Sequence, residues 1–242
     1  MRKLILEYKK LKILILSTDT LHHRFFINSL EKSKIKIEKY LLETTFVKSK
    51  FKTSHSFEKQ QKTHENKFFF KNINKVLDKK KILLTTNINH KKIEKYLKIN
   101  KPDIGIVFGT RKIEKNIISK FKYGMLNVHR GNIKSYRGLD SELWAIYHKD
   151  YKNIMTTIHK VNTKFDNGRI IFQKKTKLKK GMKLFELRSY MTGDAFKMIV
   201  NIVKNQLFIL KDKSELKGRY YSFMPTNIKN IVNQKFNDHQ KK

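Results

Sequence analysis

The sequence predicts an α/β protein with a mostly parallel sheet, and two observations lead to this prediction. Short apolar runs of strand length recur along the chain, beginning with LKILILS at 11–17. Between these runs stand segments whose apolar residues have helical spacing. This alternation is typical of β-α-β units, in which helices cover the two faces of a parallel sheet.

The N-terminal part supplies the first β-α-β unit. Residues 11–17 predict a buried strand, and Thr18, Asp19 or Thr20 can cap a helix that begins next. Residues 35–45, IKIEKYLLETT, predict the second strand. The intervening helix has one apolar face, made by Leu21, Phe25, Phe26 and Leu30.

Residues 46–80 interrupt the alternation because they are polar, rich in Lys and without a clear period. We expect an insertion or mobile loop here, with a helix near Phe68–Leu77. Beyond it we expect strands at 81–86, 101–110, 123–129, 154–162 and 168–176. The predicted helices lie at 89–100, 115–122, 139–148 and 182–210. We therefore expect one catalytic domain over 1–205, followed by a short C-terminal extension at 206–242 that is not an independent domain.

The formal net charge of +36 first suggests a nucleic-acid partner. However, only eight of the 56 basic residues are Arg, which is the preferred residue for bidentate phosphate and base contacts. Enrichment in Lys, Asn, Ile and Phe together is typical of an A/T-rich genome. We do not expect a nucleic-acid partner, although a positive surface favours capture of a small anionic substrate.

Composition also argues against a disulfide-bonded or thiol-dependent protein and against a membrane-spanning one. The chain has no Cys, so it has neither disulfides nor thiolate chemistry. The apolar N-terminal stretch is broken by charged residues from Glu7 to Lys12, and no run approaches the ~20 apolar residues of a membrane span. We expect a soluble cytoplasmic protein.

Asn127 and His129 are the first candidate catalytic residues, in the stretch LNVHRGNIKSYRG at 126–138. Because side chains alternate along a strand, both lie on one face at its C-terminal end. In parallel α/β sheets this is where ligands bind. An amide donor and an imidazole can stabilise negative charge on a carbonyl oxygen. A histidine satisfied by a backbone contact is the structural alternative.

Asp166 is the third candidate, in the turn FDNG. A carboxylate there can orient the imidazole or relay a proton, although Asp-Asn-Gly is also a common hairpin turn. The pair His22 and His23 suggests a metal, but no carboxylate or Cys stands at a useful spacing, so we expect none.

Taken together, these motifs resemble the folate-dependent formyltransferases. The shared pattern is N-x-H, a loop closing in Y-R-G, an apolar helix, a T-x-x-x-V strand and D-x-G-x-I. The matching segments are 127–129, 136–138, the helix around Trp144, 157–161 and 166–170. The resemblance implies a Rossmann-like fold and formyl transfer from 10-formyltetrahydrofolate to a primary amine.

The resemblance also implies roles for individual residues. Asn127 would bind the formyl oxygen, His129 would stabilise the oxyanion, and Asp166 would orient His129 and help to remove the amine proton. The family's H-P-S-L-L-P loop is here HRGNIKSYRG, without proline and with Arg130 beside His129. The folate site would be lined by Gly109, Thr110, Arg111, Lys112, Ile113, Val161 and Phe165.

Three acceptor amines are compared. Enzymes acting on methionyl-tRNA carry a C-terminal β-barrel, for which the segment after residue 205 is too short. Enzymes acting on glycinamide ribonucleotide have a glycine-rich phosphate loop, whereas STDTLHHR at 17–24 has no glycine. A nucleotide-linked amino sugar, used in surface polysaccharide (lipopolysaccharide) synthesis, fits best. The expected acceptor-binding residues are His22, His23, Arg24, Arg130, Tyr136 and Arg137.

Several alternatives stay open at this point. The chain could be a formyltransferase-like basic module without catalysis, or it could hydrolyse the formyl donor. Tyr220, Tyr221 and Phe223 either stack on a nucleotide base or pack against the core. A homodimer is compatible with the sequence, and nothing in the sequence chooses between it and a monomer.

Overall fold

The computed structural model describes residues 10–71, 74–211 and 218–241. The strands are β1 (Ile13–Thr18), β2 (Ile37–Glu43), β3 (Ile82–Thr85), β4 (Ile104–Phe108), β5 (Met125–Arg130), β6 (Tyr136–Gly138), β7 (Met155–Lys160), β8 (Ile170–Lys175) and β9 (Arg219–Tyr221). The helices are α1 (Leu21–Lys32), α2 (Ser56–Phe69), α3 (Lys91–Asn100), α4 (Lys115–Ile118), α5 (Ser141–Tyr147), α6 (Leu184–Lys204) and α7 (Thr226–Lys241).

Seven strands form one sheet in the order β3-β2-β1-β4-β5-β7-β8. The pairs from β3 to β5 are parallel, while β7 runs antiparallel to both β5 and β8. Every residue of β1 and β4 is buried, which explains why these strands read as continuous apolar runs. The predicted α/β fold with a mostly parallel, Rossmann-like sheet is confirmed.

Helices cover both faces of the sheet. Ile13 and Ile15 of β1 face a core shared with α1 and α6. The alternate residues Leu14 and Leu16 face a second core shared with α3 and α4. This division follows from the two-residue period of the strand. Within the described part of the chain, no helix has the length and apolar content needed to cross a membrane.

The expectation for residues 46–80 is wrong in one respect. A helix does form there, but α2 ends at Phe69, close to where the predicted helix began. Its buried face consists of Phe57, Gln61, Glu65 and Phe69. Two of these four residues are polar, so the face carries no continuous apolar stripe that a periodicity argument can detect.

Glu65 is tolerated on this face because Arg188 of α6 forms a bidentate pair with it, at 2.6 and 2.8 Å. Glu65 is 1% exposed, so the pair is desolvated and geometrically well matched. This pair joins α2 to α6. The segment that was expected to be an insertion or mobile loop therefore contributes a packed helix to the fold.

The chain after residue 205 also adds ordered elements. The helix predicted at 182–210 ends at Lys204, and a short 3₁₀ turn covers Leu207–Ile209. Strand β9 pairs in parallel with β6. Helix α7, which the sequence analysis did not predict, buries Val232 and Phe236 in a third core together with residues of α5 and α6.

Candidate active site

A cavity of about 340 Å³ opens at the carboxyl ends of β4 and β5. This is the edge at which open α/β sheets bind their ligands. Its walls come from the loop after β4, the end of β5, the start of α5, the loop between β7 and β8, and the segment after β9. Because these elements are distant in sequence, the cavity exists only in the folded chain.

The structure brings Asn127, His129 and Asp166 together at this cavity. The amide Nδ2 of Asn127 donates to Asp166 Oδ1 at 3.0 Å, and the backbone N–H of Gly138 donates to Asp166 Oδ2 at 2.8 Å. His129 Nδ1 lies 3.4 Å from Oδ2. The carboxylate of Asp166 is therefore the centre to which the other groups are attached.

A fourth residue of this group, His159, lies in the segment 157–161, to which the sequence assigned no catalytic role. It lies on β7 directly opposite Asn127 in the antiparallel pairing with β5 and is 2% exposed. Its Nε2 lies 3.1 Å from Asn127 Nδ2 and 3.3 Å from Asp166 Oδ1. Only the strand register reveals this position, since 32 residues separate the two in sequence.

The contacts of His159 determine its hydrogen-bonding state. Nδ1 lies 2.7 Å from the backbone oxygen of Lys160, which can only accept, so Nδ1 carries a proton. In the neutral ring, Nε2 then accepts from the Asn127 amide. His159 thus occupies one amide N–H of Asn127.

Both ring nitrogens of His129 face acceptors. Nε2 donates to the backbone oxygen of Tyr136 at 2.9 Å, while Nδ1 faces Asp166. Burial lowers the pKa of the His129 imidazole, and the charge of Asp166 opposes this effect. Burial alone would raise the pKa of the Asp166 carboxyl, but His129, His159 and the Gly138 N–H together lower it well below its usual value. Asp166 is therefore ionised at neutral pH.

A family model described as formyl transferase matches residues 11–202. The chain belongs to this family. The matched region contains the whole seven-stranded sheet and all four residues grouped around the Asp166 carboxylate. No curated protein sequence matches the chain.

Solved structures of other formyl transferases are similar to this one in fold. A sugar N-formyltransferase from Shewanella sp FDAARGOS_354 has a TM-score of 0.61 at 13% identity, covering 93% of this chain and 87% of that chain. The formyltransferase PseJ from Anoxybacillus kamchatkensis, in complex with UDP-4,6-dideoxy-4-formamido-L-AltNAc and tetrahydrofolate, has a TM-score of 0.52 at 19% identity, covering 87% and 85%. A phosphoribosylglycinamide formyltransferase from Bacillus Halodurans has a TM-score of 0.57 at 14% identity, covering 81% and 95%.

The seven residues expected at the folate site of this formyl transferase all line the same cavity. Within the loop after β4, Gly109 adopts a φ of +74°, and a Cβ there would lie 2.6 Å from the His23 ring. Both the conformation and the space therefore require glycine. The loop consequently passes close to β1 and α1, and its backbone forms part of the cavity wall.

Arg111 also lies at this wall, but its guanidinium is engaged by the protein. Nε pairs with Glu43 Oε1 at 2.6 Å, and the Arg111 backbone N–H donates to Oε2 at 3.1 Å. Glu43 is 2% exposed and accepts a further bond from the Ile88 N–H at 2.8 Å. Arg111 thus fixes the loop to the ends of β2 and β3 and neutralises a buried carboxylate.

We expect Arg111→Leu to destabilise the protein by about 3 kcal/mol, because removing one partner leaves the buried Glu43 carboxylate unpaired. The free energy of unfolding in urea measures this loss. Lys112→Leu, on the same loop, is the matched control and should change stability little. In a Glu43→Gln background the cost of Arg111→Leu should shrink. An equal cost in both backgrounds would show that the ion pair is not its cause.

Two of the expected acceptor-binding residues, His22 and His23, are not brought to the cavity. Both are buried beside Phe108, with ring centroids 5.5 and 4.6 Å from its ring. Burial lowers the pKa of both imidazoles, that of His23 to about 3, and the charges of Arg130 and Arg188 add to the effect. Neutral buried rings are poorly suited to hold a phosphate.

The other expected acceptor residues have different surroundings. Arg24 forms a bidentate pair with Asp19, at 2.5 and 2.8 Å. The Tyr136 hydroxyl is 3.1 Å from Asp150 Oδ2 and the ring is buried. Arg137 Nε donates to the Gly218 oxygen at 2.5 Å. None of the three lines the cavity.

Arg130 does line the cavity. Its Nε donates to Glu142 Oε1 at 3.0 Å, and its guanidinium carbon lies 5.9 Å from the centre of the Phe108 ring. The guanidinium thus has a carboxylate partner and an aromatic neighbour inside the protein. Of the six expected acceptor-binding residues, Arg130 is the one that lines the cavity.

Tyr220 and Tyr221 of β9 and Phe223 after it divide between the two roles that the sequence left open, core packing and lining of the cavity. Tyr221 packs in the core, with ring centroids 5.5 Å from Tyr136 and 5.1 Å from Trp144. Tyr220 and Phe223 line the cavity. Across the described ranges, no group of three or more His, Asp or Glu residues is arranged to hold a metal ion.

Proposed function

We propose that this formyl transferase moves the formyl group of 10-formyltetrahydrofolate to the primary amine of a nucleotide-linked amino sugar used in surface polysaccharide (lipopolysaccharide) synthesis. The observation that carries the proposal is the convergence of Asn127, His129 and Asp166 on one cavity at the carboxyl edge of the sheet. Residues of these three types, linked by hydrogen bonds, suit acyl transfer to an amine.

The cavity suits the donor in size and composition. Its volume of about 340 Å³ lies within the range of small-molecule sites. Val107, Ile113, Val161 and Phe165 offer apolar walls for a flat ring, and the backbone of residues 109–113 offers polar groups. The bound donor supplies the formyl carbon that the amine attacks.

The protein groups then have distinct tasks. The amide N–H of Asn127 and the His129 imidazole stabilise the negative charge that develops on the formyl oxygen. The ionised Asp166 carboxylate accepts a proton from the attacking amine, directly or through water. The new bond joins the acceptor nitrogen to the formyl carbon, the bond to the folate nitrogen breaks, and the proton taken from the amine passes to that folate nitrogen.

The choice of a sugar acceptor rests on similar structures and on the turn after β1. Two similar structures are described as acting on or containing sugars, and PseJ was solved with a UDP-linked formamido sugar. A phosphoribosylglycinamide formyltransferase shares the fold as well, so fold similarity does not select the acceptor. The turn after β1 argues against that second acceptor, because residues 17–24 have no glycine and both of its histidines are buried.

The test is an assay of formyl transfer from 10-formyltetrahydrofolate to a panel of acceptors, followed by mass spectrometry. The panel contains nucleotide-linked amino sugars, glycinamide ribonucleotide and methionyl-tRNA. We expect one sugar to gain a formyl group with the wild type and not with His129→Ala. Formate release without an acceptor product would indicate donor hydrolysis. Absence of folate binding, together with nucleic-acid binding that weakens steeply with salt, would favour a basic binding module.

A further inference from the structure

A second, smaller cavity of about 50 Å³ lies between α2, α5 and α6. It adjoins the main cavity, because Arg130, Asp140 and Glu142 line both. The Arg130–Glu142 pair lies in the walls of both spaces. Since this shared wall consists of side chains, a bound molecule can shift the intact pair without moving a strand or helix. The small cavity is thus an extension of the active site on the side away from the expected folate loop.

The charged groups around the small cavity are already paired. Arg130 pairs with Glu142 at 3.0 Å and Arg188 with Glu65 at 2.6 Å. Glu58 Oε1 accepts from Lys229 Nζ at 2.7 Å. An additional ion would lose its hydration without gaining a free partner of opposite charge, which is costly. The cavity is therefore suited to a neutral group.

Gln61 differs from these residues. It is 6% exposed and lines the small cavity, yet its side-chain amide has no hydrogen-bond partner among the described residues. The Gln61 amide atoms are not among the fully enclosed side-chain atoms that lack a partner in the described residues, so they remain accessible. Its donor and acceptor are thus available to a molecule in the cavity.

The remaining walls are apolar, and they come from Phe57, Leu143, Leu184 and Leu187. A ligand that fits must combine a hydrogen-bonding group with a small apolar one. The volume is several times the ~10–15 Å³ needed by one buried water, so a substituent of a few heavy atoms fits. An acetamido group meets these conditions, since its amide matches Gln61 and its methyl matches the leucine walls.

We propose that the small cavity binds an acetamido substituent of the acceptor sugar and thereby selects N-acetylated acceptors. This inference rests on the proposed function, because it places the amino sugar in the main cavity with one substituent passing Arg130 and Glu142. Gln61 and the leucine walls select the acceptor in this arrangement and do not touch the reacting atoms. Helix α2 therefore contributes to substrate specificity.

The test compares pairs of nucleotide-linked amino sugars that differ in one ring substituent, acetamido in one and hydroxyl in the other. We expect the wild type to prefer the acetamido member by about tenfold or more in kcat/KM. Gln61→Leu should reduce this preference, and Leu187→Phe, which fills the cavity, should abolish it. Gln60→Leu is the matched control on the exposed face of α2 and should retain it. Equal kcat/KM values for both sugars, or a preference unchanged in both cavity variants, would overturn the inference.

A second measurement separates failure of this inference from failure of the proposed function. Binding of N-methylacetamide is followed by ligand-observed NMR in the wild type, Gln61→Leu and Leu187→Phe. If no acceptor is formylated, the proposed function fails. Binding of N-methylacetamide then tests by itself whether the small cavity is a ligand subsite. Binding that is lost in both variants supports the subsite. No binding to the wild type, with water as the only occupant, overturns it.

Discussion

Replacing Asp166 by Asn is expected to lower kcat for formyl transfer by roughly 10²–10⁴-fold, the usual contribution of a proton-transfer group. Asp166 holds Asn127 and His159 through Oδ1 and Gly138 and His129 through Oδ2. An amide keeps the shape but replaces one acceptor by an NH₂ donor, which then faces another donor. It also removes the negative charge that accepts the amine proton.

Single-turnover rates and the Kd for tetrahydrofolate measure the effect of Asp166→Asn. We expect the rate to fall while folate affinity changes little, because the carboxylate acts on the reacting atoms. Asp194→Asn on α6, where Asp194 pairs with Lys174 away from the cavity, is the matched control. A variant that retained more than about a tenth of the wild-type rate would exclude Asp166 as the proton acceptor.

The second large effect is expected for His129→Gln, which should lower kcat by roughly 10²–10⁴-fold. The glutamine amide can donate one hydrogen bond, but it cannot carry a proton. The wild-type rate should also fall on the acid side, because a protonated His129 pairs with Asp166 and makes that carboxylate a weaker base. Since burial lowers the pKa of His129, this fall should occur below the pH at which an exposed histidine titrates.

The pH dependence of kcat in the wild type and in His129→Gln checks this prediction. The inflection on the acid side should disappear from the residual activity of the variant. His90→Gln, at the exposed start of α3, serves as the control and should keep both the rate and the inflection. An inflection of the same position and depth in His129→Gln would show that it does not report on His129.

The sheet was predictable from the sequence because its central strands β1 and β4 are buried on both faces and read as apolar runs. The sequence predicted neither the position of helix α2 nor the presence of helix α7, and the reason is the same for both. Gln61 and Glu65 occupy the buried face of α2, and α7 buries few apolar side chains between many polar ones. Their positions depend on tertiary partners such as Arg188, which no local pattern contains.

The residues of the candidate site also differ in whether the sequence alone could predict their positions. Asn127 and His129 were predictable from alternation along one strand, and Asp166 from the turn that follows a later strand. His159 required the register between β5 and β7, which a single sequence does not contain. His22 and His23 show the opposite case. The sequence predicted that they bind the acceptor, but the fold buries both of them beside Phe108.

The hydrogen bond from His129 Nε2 to the Tyr136 oxygen has a consequence for catalysis. Under the proposed function, a backbone carbonyl occupies the donor that the formyl carbonyl would need, and the Asn127 amide is similarly occupied by Asp166 and His159. A substrate carbonyl would therefore replace internal hydrogen-bond partners of similar chemistry. Exchanging one carbonyl for another would cost little enthalpy, and the two donors would keep their orientation before the substrate arrives. On this proposal, the segment from 130 to 138 holds the His129 donor as a substrate carbonyl would, and its sequence would set how readily the site accepts one.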